Sequence, residues 1–419
     1  MSPEAGIRAI LSDRAVSAVV VVAFVLMLGA GAVLPILPLF ARSFGVGYAE
    51  TGILISAYAA ARLVVDLAAG PAVDRWGERF CAVAGLTVVA VSSLLTGLAP
   101  VFTVAVVFWA CAGAGSALVF AALFSHLLRV VPKARMGRTL SVFYGAFNAG
   151  VVAGSFLAGV IAAAFGLAAP LFVSAGLAFA AAVLYLRFVR TPSRAAVRPE
   201  LTTGEVLVER DMAVRRKGRA VIADLLRTPG FVTVIMTNLA YLWVVAAVLD
   251  TLVPLFAKEV LAMSTTGIGV VFALVLATEF VVLYPAGALA DRRGRKFVLV
   301  PALAALAISC ASFGWATTPV VLGLLMALSG FAFGFAGVPP AAMLADVVPE
   351  ERSGTGVGVF RFCGDLGFTL GPLVAGFTTT AFGFKTAFAV AVVPTLVAMV
   401  LALRTEETLS SARARSKTV

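Results

Sequence analysis

The sequence predicts an all-α membrane protein: twelve transmembrane helices in two pseudo-symmetric six-helix halves. Three observations lead there. The 419 residues are 61% hydrophobic and 13% charged, with a mean hydropathy of +1.06. A soluble chain is about 25% charged and has no means of burying this much apolar surface. The apolar residues fall in runs of about 20 or more, the length a spanning helix needs. The chain also repeats itself. "GPAVDRWGERF" at 70–80 returns as "GALADRRGRKF" at 287–297, both reading G-x-x-x-D-R-x-G-x-[RK]-F.

The twelve runs lie at roughly 16–40, 49–73, 80–99, 101–127, 139–165, 169–189, 231–257, 266–290, 297–315, 319–345, 356–382 and 385–403. The net charge of +11 suggests nucleic acid until it is mapped onto them. With the N-terminus cytoplasmic, Arg42, Lys258 and Lys385 lie outside and Arg62 and Arg361 lie within the membrane. The other 27 of the 32 Lys and Arg fall in cytoplasmic loops and tails. This positive-inside bias places both termini in the cytoplasm and explains the charge without a nucleic-acid partner. A multi-pass, monomeric protein of the cell membrane, in contact with its lipids, is expected. The first span lacks a small-residue cleavage site and reads as a retained helix. Cys81, Cys111, Cys310 and Cys363 lie in spans without CxxC spacing, so neither a disulfide nor a metal is expected, and no cofactor.

The repeat extends beyond its motif. At an offset of 217, Gly113 falls on Gly330, "VVPKARMG" (130–137) on "VVPEERSG" (347–354), Gly154 on Gly371 and Gly159 on Gly376. Two halves, 1–190 and 229–404, account for this, with a linker at 191–228 and a tail at 405–419. In the linker, Arg215, Arg216, Lys217 and Arg219 precede Val221, Ile222, Leu225 and Leu226, a pattern that suits an amphipathic helix on the inner leaflet.

Repeated six-helix halves with a site between them are a transporter plan. The motif strongly resembles the signature of the loop between helices 2 and 3 in the major facilitator superfamily, and here it recurs between helices 8 and 9. The resemblance implies that superfamily's fold, with Gly70, Asp74, Arg75, Gly77 and Arg79, and Gly287, Asp291, Arg292, Gly294 and Arg295, forming a conformational latch. It implies that Asp74 faces the start of helix 11 near Gly354–Gly356 and Asp291 the start of helix 5 near Gly137. A carboxylate there caps a positive helix end, and the arginines bind carbonyl ends or lipid phosphate.

Charges inside a span are costly and mark function by default. Arg62 and Asp66 sit four apart in helix 2, Arg361 and Asp365 four apart in helix 11. The superfamily fold packs these helices together, implying an inter-half gate of two pairs, Asp66–Arg361 and Arg62–Asp365. At the symmetry-related interface of helices 5 and 8, Glu279 faces only Asn148. An unpaired carboxylate in an apolar medium can take up and release a proton, so Glu279 is the first candidate for proton coupling. Asp250 in helix 7 is the second; pairing with Arg42 or Lys258 is its plainer reading. His126 reads as an interfacial polar group.

The expected cavity has an apolar and aromatic lining, drawn from Trp109, Phe120, Asn238, Tyr241, Trp243, Phe331 and Phe333, which suits a hydrophobic or amphiphilic small molecule. The nearest subgroup resemblance is the twelve-helix drug/proton antiporters. Two departures stand out. "WACAGAG" (109–115) keeps the glycines of their helix 4 pattern but has Trp109 for Arg and Ala112 for Gln. Helix 5 has Gly154-Ser155 where they have Gly-Pro. Proton-coupled efflux is the expected function. Gradient-driven uptake of a metabolite is the alternative. No HExxH, nucleophile elbow or phosphate loop supports a membrane enzyme.

Overall fold

The computed structural model describes residues 14–131, 133–189, 221–228, 230–349 and 352–408, nearly all of them helical. Most of the linker and the end of the tail, with the basic cluster at 215–219, lie outside the described residues. The first half comprises α1 (Arg14–Val33, continued after a turn by Leu37–Arg42), α2 (Tyr48–Trp76), α3 (Glu78–Gly97), α4 (Phe102–Val130), α5 (Lys133–Phe165) and α6 (Ala169–Phe188). The second comprises α7 (Phe231–Val244, continued as below), α8 (Thr265–Arg293), α9 (Arg295–Ser312) and α10 (Pro319–Val347), followed by one long stretch from Ser353 to Arg404. That stretch is two spans. Gly383, at φ 78° and ψ 174°, leaves helical geometry and turns the chain back, giving α11 (353–382) and α12 (384–404).

The halves repeat each other contact for contact. α1 packs on α5 and α6, α2 on α4, and α3 on α4 and α6; α7 packs on α11 and α12, α8 on α10, and α9 on α10 and α12. Close approach is made by matched glycines. A Cβ on Gly113 would lie 2.1 Å from the Tyr58 carbonyl oxygen, and one on Gly330 2.3 Å from that of Val275. Both residues of each pair differ by the same 217 positions.

α7 departs from regular helix. Val245–Leu252 is π-helical, then α-helix resumes over Val253–Glu259. Thr251 Oγ1 donates to the Ala246 carbonyl five residues back, at 2.7 Å. Such widened turns are uncommon and recur at functional positions. Asp250 lies inside this one.

The two halves meet along α2–α11 and α5–α8. They touch most closely at the end opposite the repeated motif. There a Cβ on Gly159 would stand 2.3 Å from the Thr265 carbonyl oxygen, and one on Gly376 2.3 Å from that of Tyr48. The Ala49 N–H donates to Thr380 Oγ1 across the same seam, at 3.2 Å. Toward the motif end the halves part: Gly70 on α2, Gly145 on α5 and Gly358 on α11 have open space where a Cβ would stand. The molecule is therefore sealed at one end and parted at the other.

A branched side chain at Gly376 has no room in this sealed end. Cysteines placed at Ala49 and Thr380, with the four native cysteines replaced, are expected to cross-link readily. Adding Gly376→Val is expected to cut the cross-linked fraction severalfold in the same assay.

Candidate transport site

Arg62 lies midway along α2, 14 residues from either end of the helix. Its Nη2 donates to Asp365 Oδ1 on α11 at 2.7 Å, joining the two halves. Its Nε lies 3.8 Å from Asp66 Oδ2, one turn along the same helix. The second pair expected from the sequence, Asp66–Arg361, is not formed. Arg361 instead lays its guanidinium over the Phe120 ring, 4.5 Å from the centroid. One long arginine serves both carboxylates because Asp66 is its own helical neighbour, and the parted halves leave Arg361 facing an aromatic ring rather than an acid.

Beside this pair lies a cavity of about 330 Å³. Leu63, Asp66, Phe120, Ala121, Phe124 and Ser125 line it from the first half, and Gly358, Arg361, Phe362 and Asp365 from the second. Of the aromatic and polar residues expected to form the lining, Phe120 does so. Trp109 is buried and packs on Tyr58, 5.0 Å between ring centroids, in the sealed part of the first half. Asn238 donates to the Phe360 carbonyl oxygen at 2.7 Å and pins α7 to α11. Tyr241 packs edge-on against the fully buried Phe333. Trp243 packs into the core of the second half, and Phe331 lies exposed on α10. Span number and depth alone do not tell which face of a helix meets the opening.

Glu279 does not meet Asn148. Its Oε1 accepts from the Tyr241 hydroxyl on α7 at 3.0 Å, inside its own half, while Asn148 is exposed on α5. Asp250 pairs with neither Arg42 nor Lys258. It is 5% exposed, and its Oδ2 has no hydrogen-bond partner among the described residues. Arg42 is engaged elsewhere: its Nε lies 2.9 Å from Glu259 Oε1 on α7, its guanidinium stands 4.7 Å over the Tyr48 ring, and the Tyr48 hydroxyl also bonds Glu259. This cluster closes the sealed end across the halves. Glu259 and Tyr48 were not among the residues singled out from the sequence.

The contacts described for Asp74, Arg79, Asp291 and Lys296 of the repeated motif run within their own halves. Asp74 lies 3.4 Å from Arg129 at the end of α4, and Asp291 bonds Arg295 one turn along; the side chains of 133–138 and 353–354, at the starts of α5 and α11 where the latch contacts are expected, lie outside the described residues. The nearest neighbour of Gly356 is Val348, in its own half. Gly77 and Gly294 adopt φ 87° and 116° with ψ 154°, a region essentially closed to other residues, and each makes the single-residue turn joining two helices. Arg79 donates to the Leu186 carbonyl at the end of α6, at 2.9 Å. Its counterpart is Lys296, not Arg295: Lys296 donates to the Leu403 carbonyl at the end of α12, at 2.6 Å. Both residues of this contact again shift by 217. Arg75 and Arg292 are exposed.

Glu78, at an unassigned position of the motif, is 2% exposed. Its Oε2 lies 3.0 Å from His126 Nδ1, and its Oε1 lies 2.9 Å from Arg129 Nε. The latter contact lacks hydrogen-bond alignment and is an ion pair only. His126 is therefore a buried partner rather than an interfacial group. In the second half the same two positions hold Arg295 and Asp346, at 3.2 Å. The pairing is retained with its charges exchanged. Glu407, in the tail, accepts from the backbone N–H groups of Arg295 and Lys296 at 2.8 and 3.0 Å and caps the start of α9. The four cysteines are free.

Twelve spans in two repeated halves, a mid-membrane ion pair between them and a cavity parted at one end define a multi-pass membrane transporter. The profile of the Major Facilitator Superfamily matches residues 19–277 and 246–418, and the chain belongs to that superfamily. It is 32% identical over 130 residues to a Na(+), Li(+), K(+)/H(+) antiporter of Planococcus maritimus, covering 30% of this chain and 31% of that one. It is 36% identical over 118 residues to multidrug resistance protein MdtG of Citrobacter koseri, covering 28% and 29%. The matches thus span about a third of the length of these curated relatives. A solved POT family transporter in complex with 5-aminolevulinic acid shares the fold, with a TM-score of 0.74 at 13% identity over 93% of this chain and 95% of that one.

Glu78 and Asp74 carry unequal structural loads. Glu78→Gln removes a buried charge that lies between the buried His126 and the exposed Arg129, whereas Asp74 is 79% exposed with a long contact. Glu78→Gln is expected to lower the melting temperature in detergent by several degrees and Asp74→Asn to leave it nearly unmoved. Equal shifts would show that Asp74 carries as much of the motif's stability as Glu78 and would contradict this account.

Proposed function

We propose that the protein is a secondary active transporter that exports hydrophobic or amphiphilic small molecules by alternating access, driven by protons. The observation that carries this reading is the cavity between the halves. It is walled by phenylalanines, crossed by the Arg62–Asp365 pair, sealed behind by Arg42, Tyr48 and Glu259, and parted toward the motif. The positive-inside bias puts the motif end in the cytoplasm, so a solute would load from within. The multidrug and cation/proton relatives support export and proton exchange over the stretches they share.

Asp250 and Glu279 are the proposed proton carriers. Neither has a cationic partner among the described residues, and intramembrane carboxyl groups of this kind mark proton routes. Asp250 is the stronger candidate. It lies beyond the cavity, in the sealed part, and protons from the far side reach it only when that end opens. A group that exchanges protons in one conformation only couples proton binding to the conformational change. Glu279, held by Tyr241, is the second.

In proteoliposomes loaded with amphiphilic fluorophores, an imposed pH gradient should drive wild-type export. Asp250→Asn should abolish that dependence while substrate binding persists, and Glu279→Gln should weaken it. If only Glu279→Gln abolishes it, the coupling passes through Glu279. If both variants keep wild-type dependence, proton coupling through these carboxyls is wrong.

A further inference from the structure

We infer that the cavity takes amphiphilic organic anions, and that Arg361 recognises their charge. This rests on the transport reading and names its substrate class. Of the four charged groups at mid-depth, three are mutually engaged: Arg62 reaches Asp365 at 2.7 Å and Asp66 at 3.8 Å. Arg361 is the fourth. It lines the cavity and makes no ion pair or hydrogen bond among the described residues; its planar fork of donors lies over the Phe120 ring, near enough to Asp66 and Tyr144 to act on them electrostatically but not bonded to either. A guanidinium at this depth is costly to keep. Its geometry matches carboxylate, sulfonate or phosphate oxygens in two-point contact, an interaction stronger than the ring contact it would replace.

The remaining walls specify the rest of the ligand. Leu63, Phe124 and Phe362 offer apolar and aromatic surface beside Arg361, and Phe120 stacks with Phe124 at 6.0 Å between centroids. An aromatic or aliphatic body against these rings, with its anionic end on Arg361, would touch α4 of one half and α11 of the other. A cationic amphiphile fits less well. The carboxylates that line the cavity, Asp66 and Asp365, both already face Arg62, at 3.8 and 2.7 Å, and the cation would stand beside the uncompensated Arg361 guanidinium. A neutral solute would leave the Arg361 donors unmatched.

The test uses the full-length protein in lipid nanodiscs with three probes of one shape: naphthoate, naphthamide and naphthylmethylammonium. Equilibrium binding of radiolabelled probe and the ligand-induced melting shift are read together. The wild type is expected to bind naphthoate most tightly. Arg361→Gln is expected to weaken naphthoate about tenfold or more, leaving naphthamide unchanged. Arg361→Lys keeps the charge without the fork and should fall between. Gel filtration and the ligand-free melting temperature establish that both variants fold, and if Arg361→Gln does not, the Arg361→Lys comparison decides. Preference for naphthylmethylammonium, equal naphthoate affinity in the variants, or no naphthoate binding by the wild type would each overturn the inference. Failure of the transport reading looks different: Arg361-dependent naphthoate binding, with no gradient able to move naphthoate across a proteoliposome membrane.

Discussion

The ion pair between Arg62 and Asp365 ties the two halves together at mid-membrane, and the arrangement around it follows from that placement. Charges in a lipid-embedded bundle must find partners in protein or in a wet cavity. Asp365 is nearly buried and depends on Arg62 for its partner; Arg62 is more open and leans on Asp66. To one side of the pair the helices close to backbone contact at Gly159 and Gly376. To the other they part. Breaking a buried pair by removing one member typically costs about 3–5 kcal/mol, an upper range here because Arg62 is partly open. The pair thus stands between a packed end and a parted end.

The second organising feature lies at the motif. The contacts Arg79–Leu186 and Lys296–Leu403 repeat in register, as do the turn glycines Gly77 and Gly294. In each half the start of the third helix is fastened to the ends of the fourth and sixth, which ties each half into a block. Alternating access needs rigid blocks and a mobile seam between them. The charge exchange from Glu78–Arg129 to Arg295–Asp346 leaves each local pairing intact while changing what each half offers its surroundings.

The spans, the two halves and the 217-residue register were legible because lipid imposes run length and duplication preserves spacing. The meeting of Arg62 with Asp365 followed from depth and a shared helix face once the family resemblance had placed helix 2 against helix 11. Asp66 and Arg361 lie apart because an arginine side chain is long enough to serve two acids, a choice that residue depth does not encode. The π-helical turn at Asp250 does have a signal that was passed over: Pro254, four residues on, has no N–H to give the Asp250 carbonyl. Most aromatics expected at the cavity face elsewhere because depth does not set rotation about a helix axis. Glu78 was overlooked as a variable motif position, although shifting it and Arg129 by 217 exposes the exchanged pair Arg295 and Asp346.

The central claim is that the two ends of the seam open in opposition. Spin-label pairs at Trp76 and Val357 would report the motif end, and pairs at Ile53 and Phe377 the sealed end, by pulsed electron resonance in nanodiscs. All four side chains are exposed. Across a pH titration, the account predicts that the first distance shortens as the second lengthens, with the two populations changing in the same proportion. Distances that move together, or a sealed end that stays closed while the motif end closes, would contradict it.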